Sequence, residues 1–415
     1  MDMAKPIIRF KGYQDDWEQR KLENFGQATG GTSIESEFSE DGIYKVISIG
    51  SYSENSVYND QGIRAIKSDK TSNRVLNKND LTMILNDKTT SGNIIGRVLL
   101  IEKSGIYVYN QRTERIEINI NEYDPVFLYE MFNAPNIREK IIKQAQGNTQ
   151  IYVNWSTIAM LDYMIPSKKE QVKIGQFLHS ISNLITLHQR KCDETKKLKK
   201  YMLQKMFPQN GEKVPEIRFS GFTDDWEQRK LGEVCEIKDS ARIPNSEWSE
   251  SGVPYIRASD VTNENTDGVL FISQERYEFY KNRTGAPTKD DVLFNGGGEI
   301  GKSLLITDKK PIYVQGGAVL YARTSKSREL VGQYLKTYFE TTNAKSYVDT
   351  ASAGGTMRHF TLKPSQMMRI LMPSVEEQEK IGEYFANFDH LITLHQRELE
   401  NLQNIKKFML GKMFV

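Results

Sequence analysis

The chain has 415 residues, which is enough for two or three domains. Hydrophobic residues make up 38% of the chain and charged residues 27%, so it has the apolar side chains for folded cores and is not a wholly disordered polymer. The formal net charge of +2 excludes a histone-like polycation and leaves any nucleic-acid binding to local basic patches.

The cysteines and the apolar segments indicate the compartment. Cys192 and Cys235 are too few for a disulfide framework or a cysteine-based zinc site. The sequence starts without a signal-peptide or transit-peptide pattern, and no stretch approaches the ~20 apolar residues of a membrane span. We expect a soluble, cytoplasmic protein with no membrane among its partners.

Residues 23–165 form the first region, and its pattern is rich in strands. Short apolar runs bounded by Gly, Asn, Asp and Ser predict strands. These runs are 44–48, 81–85, 98–102 and 116–120. Apolar residues at near-helical spacing predict a helix over 125–146.

A long helix is predicted after this region. Pro166 is followed by Ser167 and, three residues later, by Glu170, which is the pattern of a capped helix start. Apolar positions then alternate four and three residues apart over roughly 37 residues, which predicts a coiled-coil rod of about 55 Å. The seam positions of this helix include Ile181, Ile185 and His188.

The second half of the chain repeats this order. Pro208 ends the first helix, and a short linker at 209–214 leads to a second strand-rich region that ends at residue 372 and contains a predicted helix over 329–343. A second long helix begins after Pro373 with the same Ser-x-x-Glu start. The seam positions of the second helix include Phe388, Ile392 and His395.

The helices carry polar and apolar residues beyond a simple seam. His188 and His395 lie at matching seam positions and are interpreted as a polar layer that fixes the register rather than as catalytic residues. Further leucines widen the apolar stripe, so each helix is expected to pack against something besides its partner helix. These leucines are Leu184, Leu187, Leu391 and Leu394.

The repeated order reflects an internal duplication. The string DDWEQRKL occurs at 15–22 and again at 224–231, and LITLHQR occurs at 184–190 and again at 391–397. A duplicated chain closes most simply about a pseudo-two-fold axis, which makes the two helices antiparallel. We therefore expect a mixed α/β (α+β) fold, in which two β-rich domains are separated by two long helices that form an antiparallel coiled coil. Two domains that differ in sequence and are held roughly 34 Å apart would read two different half-sites in successive major grooves of DNA.

These features resemble the specificity (S) subunit of type I restriction-modification systems. The resemblance is carried by DWEQRKL at 16–22, GVPYIR at 252–257, the Ile-Pro-Ser and Met-Pro-Ser helix entries with Glu-Gln just beyond them, and the Lys-Met-Phe helix ends. The first half departs from the Pro-Tyr-Ile-Arg pattern at 42–47. The implied boundaries are target-recognition domain 1 at 1–165, spacer helix 1 at 166–208, target-recognition domain 2 at 209–372 and spacer helix 2 at 373–415.

The resemblance implies a non-catalytic subunit that binds a bipartite site in double-stranded DNA. It implies as partners two modification subunits, which methylate adenine with S-adenosylmethionine, and restriction subunits, which use ATP to translocate and cut DNA. S-adenosylmethionine, ATP and Mg are therefore expected on partner subunits, and no cofactor, metal or catalytic residue is expected in this chain.

Two polar loops in each half are candidate DNA contacts, because amide, hydroxyl and cationic side chains suit base edges and phosphates. One loop follows an apolar run that ends in Asn, and the other lies at 146–150 in the first half and at 353–357 in the second. The candidates are Asn86, Lys88, Thr89, Thr90, Asn93, Arg97, Asn148, Gln150, Asn295, Glu299, Lys302, Arg358 and His359. A basic stretch from Arg190 to Lys200 is a further candidate surface for DNA or for an acidic partner.

Two alternatives remain open at the level of the sequence. Residues 296–303, GGGEIGKS, fit a phosphate-binding loop, but such a loop needs a helix directly after it, and residues 304–314 have a strand-turn-strand pattern. If this segment bound phosphate despite that pattern, the protein would be a nucleotide-binding enzyme, which is the first alternative. The second is a coiled-coil adaptor that assembles proteins without reading DNA.

Overall fold

The computed structural model describes residues 5–88, 91–148, 150–209, 211–352 and 358–415. The chain folds as two compact units. Unit 1 holds Met1–Gln189 and Gln396–Val415, and unit 2 holds Arg190–His395. Each unit combines one strand-rich region with part of each long helix, which confirms the predicted mixed α+β fold of two β-rich domains and two long helices.

Unit 1 contains the first strand-rich region, and the end of the second long helix, from residue 396 onward, packs into the same core. Its elements are β1 (Glu18–Lys21), β2 (Gly26–Gly30), β3 (Tyr44–Ile47), β4 (Arg64–Ala65), α1 (Asp69–Ser72), β5 (Leu81–Ile84), β6 (Asn86–Asp87), β7 (Val98–Leu100), β8 (Tyr107–Tyr109), β9 (Thr113–Ile118), α2 (Pro125–Asn133), α3 (Pro135–Ile142), β10 (Ile151–Tyr152), α4 (Trp155–Ile158), β11 (Asp162–Ile165) and the first part of α5 (Lys168–Lys205). Short 3₁₀ turns lie at Leu22–Phe25, Glu35–Glu37 and Ile49–Ser51.

Unit 2 contains the second strand-rich region. Its elements are the last part of α5, β12 (Glu227–Lys230), α6 (Leu231–Val234), β13 (Ile237–Asp239), β14 (Trp248–Ser249), β15 (Val253–Ile256), α7 (Ala258–Thr262), β16 (Phe271–Ile272), α8 (Gln274–Thr284), β17 (Val292–Asn295), β18 (Ser303–Leu305), β19 (Tyr313–Val314), β20 (Val319–Ala322), α9 (Gly332–Phe339), α10 (Thr342–Ala351), α11 (Leu362–Met367), β21 (Arg369–Met372) and the first part of α12 (Val375–Met413). Short 3₁₀ turns lie at Asn245–Glu247 and Thr324–Lys326.

The two regions share one topology although their sequences differ. An antiparallel four-stranded sheet has the order β2-β9-β5-β7 in unit 1 and β13-β20-β17-β18 in unit 2. A smaller sheet has the order β4-β3-β8 in unit 1 and β14-β16-β15-β19 in unit 2, with its last two strands parallel in both units. The first and last strands of each region also pair with each other, β1 with β11 and β12 with β21. The duplication therefore includes the two strand-rich regions, although their sequences have diverged.

The long helices belong to the cores of these units. In unit 2, Lys199 of α5 and Phe207, two residues beyond the end of α5, contact the α12 residues Asp389 and Phe385, respectively. Because the α5 numbers rise as the α12 numbers fall, these two helix segments are antiparallel. In unit 1 the start of α5 and the end of α12 share one hydrophobic cluster. Among the seam residues, Ile181 and Phe388 are buried, and Ile185, His188, Ile392 and His395 are half-buried.

Aromatic residues of the repeated strings anchor both cores. Trp17 packs edge-on against Phe127, which in turn contacts Phe414 at the end of α12, with ring centroids 6.3 and 5.6 Å apart. In unit 2, Trp226 packs edge-on against Phe207 at the end of α5, at 5.8 Å. The Lys-Met-Phe helix ends are therefore core anchors, which explains why both copies retain an aromatic residue there.

A buried ion pair ties each repeated N-terminal segment to the start of a long helix. In unit 1, Arg9 donates from Nε and Nη2 to the two carboxylate oxygens of Glu170, at 2.7 and 2.8 Å. In unit 2, Arg218 makes the same two bonds to Glu377, each at 2.8 Å. The two carboxylates are 0% and 1% exposed. The predicted capping box is therefore wrong in its second half, since each glutamate binds an arginine instead of the amide at its helix start.

Two predicted helices are each divided into two. The helix predicted over 125–146 stops at Ala134, whose ψ of 138° is extended, because a residue before a proline avoids the helical region. The helix predicted over 329–343 is interrupted at Thr341, whose hydroxyl instead caps α10 by accepting a bond from the Ala344 amide. The predicted strands agree with β3, β5, β7 and β9 to within a few residues. Over the part of the chain that the structure describes, no helix combines the length and the apolar character of a membrane span.

Candidate nucleic-acid interface

The two candidate loops of unit 1 lie side by side. Strand β6 at the start of the first loop pairs with β10 after the second, with Asn86 opposite Tyr152. Tyr152 also exchanges two backbone hydrogen bonds with Gln146, each 2.9 Å long, which closes the second loop. Residues about sixty positions apart in the sequence therefore form one polar surface.

The equivalent loops of unit 2 also meet. The amide of Phe360 donates to the carbonyl of Gly296 at 2.8 Å. A Cβ on Gly296 would lie 2.7 Å from the Phe360 carbonyl oxygen, so the glycine lets the two segments approach closely. The same pair of loops is thus brought together in both units, on sequences with little identity.

Most of the described candidates are exposed on these loops. The exposed side chains are Lys88, Asn93, Asn148 and Gln150 in unit 1, and Glu299, Lys302, Arg358 and His359 in unit 2. Lys302 Nζ lies 3.9 Å from a Glu299 carboxylate oxygen, and both side chains are more than half exposed, so this pair is weak. The Asn93 amide donates to Glu54 at 2.9 Å. Thr89, Thr90 and the loop segment 353–357 lie outside the described residues.

Two candidates face inward, which corrects the sequence-based expectation. Asn295 is fully buried, and its amide donates to the Ala258 carbonyl and the Thr262 hydroxyl at 2.9 and 3.0 Å. These bonds hold α7 against the end of β17. Asn86 is buried within the β6 pairing and is 7% exposed. Neither side chain is presented to a ligand.

Arg97 is intermediate between these two classes. Its guanidinium donates to the Ser56 hydroxyl at 3.0 Å and is half-buried. Burial lowers the pKa of this group from its ordinary value. Because this bond engages Nη1 at the tip of the side chain, the head group of Arg97 is only partly presented to solvent.

A concave basic surface lies beside the loops of unit 2. It encloses a volume of about 530 Å³ between α5, α10 and the loop that ends at Lys302. The lysines that line it are Lys196, Lys199, Lys200, Lys302 and Lys345, and the acidic residues are Glu264, Glu340 and Asp389. Sequence reasoning missed Lys345, because a single exposed lysine on a helix carries no signal of its own.

The glycine-rich segment of unit 2 does not have the geometry of a phosphate-binding loop. Strand β18, rather than a helix, follows it, as the sequence pattern predicts. Its amides are also occupied, because Gly296 and Gly297 both donate to the Ala318 carbonyl and Gly301 donates to the Asn295 carbonyl. A phosphate-binding loop needs free amides that converge on the anion. Nor do the described residues contain a group of three or more His, Cys, Asp or Glu arranged to hold a metal.

Glu114 on β9 makes the stability of unit 1 depend on pH. The side chain is 6% exposed, and burial raises its pKa to about 7, with Arg74 acting in the opposite direction. A carboxyl group whose pKa is higher in the folded state than in the unfolded state stabilises the fold when it is protonated. This contribution is fully present below pH ~4.5 and is lost as the pH rises through 7.

We therefore expect Glu114→Gln to raise the melting temperature of the protein at pH 8 and to leave it nearly unchanged at pH 5. The control is Glu117→Gln on the same strand, whose side chain is 59% exposed. The same difference between the Glu114 variant and the wild type at pH 5 and at pH 8 would contradict the assignment.

Comparison with known proteins identifies the family. Residues 14–197 and 223–404 both match the family described as the type I restriction modification DNA specificity domain. The chain therefore belongs to this family and carries the domain twice, and the membership supports the function of a type I specificity subunit.

Individual relatives agree with the family assignment. The chain is 24% identical to the type I restriction enzyme MjaVIII specificity subunit of Methanocaldococcus jannaschii over 349 residues, which is 80% of this chain and 77% of that protein. It is also 24% identical to the putative MjaX specificity subunit of the same organism, over 75% of this chain and 73% of that one. The crystal structure of a type I S subunit from M. genitalium has the same fold, with a TM-score of 0.69, 17% identity and 99% of both chains covered.

Proposed function

We propose that this chain reads a bipartite DNA site, with the strand-rich region of each unit recognising one half-site and the long helices setting their separation. The paired loops carry the proposal. Each unit places two polar loops side by side on a common framework, and the loop sequences differ between the units. Two half-sites of different sequence require two different sets of base-contacting side chains, which a shared scaffold can carry.

The partners complete the proposed activity. Two modification subunits methylate adenine from S-adenosylmethionine, and restriction subunits supply the ATP- and Mg-dependent translocation and cleavage. This chain acts in the cytoplasm and contributes binding and positioning but no chemical step. The occupied amides of the glycine-rich segment support this reading over a nucleotide-binding enzyme.

Lys302 tests the DNA-binding part of the proposal. It is exposed at the edge of the basic surface of unit 2 and makes only a weak contact with Glu299. If it contacts a phosphate, Lys302→Ala weakens binding to all sequences about equally and lowers the slope of log K against log salt by about one. Fluorescence anisotropy with the specific duplex at several salt concentrations measures this slope.

The matched control is Lys309→Ala, an exposed lysine in the turn after the other end of strand β18. The control is expected to keep the slope of the wild type. An unchanged slope for Lys302→Ala would remove this residue from the interface. If the complex with modification subunits also had no preference for any duplex sequence, the protein would be an assembly adaptor instead.

Exposed apolar residues on the helices support docking of the modification subunits. Leu184, Leu187, Leu391 and Leu394 are 40–44% exposed, at matching positions of the two repeats. Further exposed apolar residues of the long helices are Ile405 and Phe408 in unit 1 and Leu198 and Tyr201 in unit 2. Surface patches of this kind commonly mark protein interfaces.

We expect the double substitution Leu391→Glu and Leu394→Glu to reduce the number of bound modification subunits while leaving the melting temperature of the isolated chain nearly unchanged. Light scattering of the reconstituted complex counts the subunits. Glu383→Ala, at an exposed position earlier on the same helix, is the control. A full complement of modification subunits on the double variant would show that they dock elsewhere.

A further inference from the structure

Each long helix carries a charged residue that contacts the strand-rich region of its unit. Counted from the repeated LITLHQR string, Lys199 and Lys406 occupy the same position, and so do Ser182 and Asp389. Both copies of the repeat therefore have the lysine, whereas the other position is serine in the first copy and aspartate in the second. The residues that these positions face differ between the two units as well.

In unit 2 the helices contribute a carboxylate and the strand-rich region contributes a further lysine. Asp389 accepts from Lys199 Nζ at 2.5 Å and from Lys336 Nζ at 2.8 Å. Lys199 also contacts Glu340. Both lysines are 8% exposed. The contact with two lysines lowers the pKa of Asp389 against the opposing effect of burial, so its charged form is favoured.

In unit 1 the carboxylate comes from the strand-rich region instead. Glu130 on α2 is 0% exposed, and one of its carboxylate oxygens lies 3.0 Å from Lys406 Nζ. The other carboxylate oxygen accepts a hydrogen bond from the Ser182 hydroxyl at 3.1 Å. The helices of this unit therefore offer one cation and one neutral donor.

The charges in direct contact are balanced in each unit as it stands. Exchange of the two strand-rich regions would break both balances. If the strand-rich region of unit 1 (region 1) lay on the helices of unit 2, the Glu130 carboxylate would lie beside Asp389, and Lys199 would be the single cation in contact with both carboxylates. Region 2 is the strand-rich region of unit 2. Region 2 on the helices of unit 1 would bring its lysine and glutamate to Lys406, which leaves one positive charge in excess. A buried charge without a partner is strongly destabilising.

We infer that these buried and half-buried charges encode position: the helix residues at 182 and 389 determine which strand-rich region is accepted by the helix segments of each unit. The order of the two strand-rich regions along the chain is therefore specified by residues of the long helices as well as by the connectivity of the chain. The inference concerns assembly of each unit, and its readout is thermal unfolding without DNA, so it stands or falls separately from the proposed function.

A double-mutant cycle in the full chain tests the code in unit 1. Ser182→Asp alone is expected to lower the melting temperature by at least about 5 °C, because it places a second carboxylate beside Glu130. Combined with Glu130→Gln, the same Ser182 substitution is expected to cost little, because the new carboxylate then pairs with Lys406. Additive effects of the two substitutions would overturn the inference.

A chimera tests the code between positions. Residues 232–371 are replaced by a copy of residues 23–164, so that both ends of the spacer carry region 1. Asp389→Ser is expected to lower the melting temperature of the parent chain and to raise that of the chimera. The control, Glu383→Ser at an exposed position of α12, is expected to change neither.

The reversal of sign is the decisive result, because a general effect of Asp389 on helix stability would act in the same direction in both backgrounds. A loss of stability in both backgrounds, or a chimera as stable as the parent without the substitution, would overturn the inference. Should the chimera fail to fold with either residue at 389, the double-mutant cycle in the parent chain decides.

Discussion

Arg218→Ala is expected to lower the free energy of unfolding of unit 2 by about 3–5 kcal/mol. Glu377 is 1% exposed, and the guanidinium of Arg218 supplies two hydrogen bonds to its carboxylate. Removal of the arginine leaves that carboxylate charged and buried without its partner. The same guanidinium also donates to the Asp224 carbonyl at 2.8 Å, so the substitution removes a hydrogen bond within the segment 218–224 as well. Urea unfolding followed by circular dichroism measures the change.

Arg229→Ala is the matched control for this prediction. Its side chain is 38% exposed and lies 3.7–3.9 Å from the glutamates around it. Exposed pairs of this kind contribute about 0–1 kcal/mol, so we expect a loss in that range. A loss below about 1 kcal/mol for Arg218→Ala as well would mean that the repeated arginine does not anchor the helix start.

Replacement of residues 232–371 by the equivalent segment of a relative is expected to change one half of the recognised DNA site and to leave the other half unaltered. The segment contains the loop between Asn295 and Lys302 and the segment at 358–360 that meets it. A donor with lysine and glutamate at the positions of Lys336 and Glu340 would preserve the contacts with Asp389 and Lys199, respectively. Selection of bound duplexes from a random library gives both half-sites in one experiment.

The reciprocal replacement of residues 23–164 is the control, and it is expected to change the opposite half-site. Simultaneous change of both half-sites in either chimera would mean that the two strand-rich regions do not read DNA independently.

The duplication and the long helices could be predicted from the sequence because both depend on local signals. The predicted helix entries at Ser167 and Ser374 lie next to the observed starts of α5 and α12, at Lys168 and Val375. Strand predictions from apolar runs between turn residues agreed with the observed strands to within a few residues. The break at Pro135 was also present in the sequence, since proline disfavours helix at the preceding residue, and the helix predicted over 125–146 did not allow for it.

The candidate site was only partly predictable, because the direction of a side chain depends on the tertiary fold. Asn295 and Lys302 are polar residues at the two ends of one loop, yet the first is buried against α7 and the second is exposed. No local pattern distinguishes them. The meeting of the two loops in each unit was likewise hidden, since it requires pairing between segments far apart in the sequence, such as Asn86 with Tyr152.

The repeated polar residues have structural reasons that the sequence alone did not reveal. Besides the arginine and glutamate pairs, Gln171 and Gln378 follow those glutamates and bind the backbone at the start of α2 and α9. Each glutamine accepts from an amide there, and it donates to the carbonyl of the proline that precedes its long helix. The motif therefore joins each strand-rich region to its spacer helix, which is the junction that a modular architecture must preserve.

Sequencing of methylated bases in a host that carries this protein with its modification subunits tests the central claim most directly. The account predicts methylated adenines within one bipartite motif, whose two specific parts are separated by a non-specific spacer of constant length. The same host without this protein is expected to lack that motif. Methylation in one continuous motif, or a pattern that does not depend on this protein, would contradict the account.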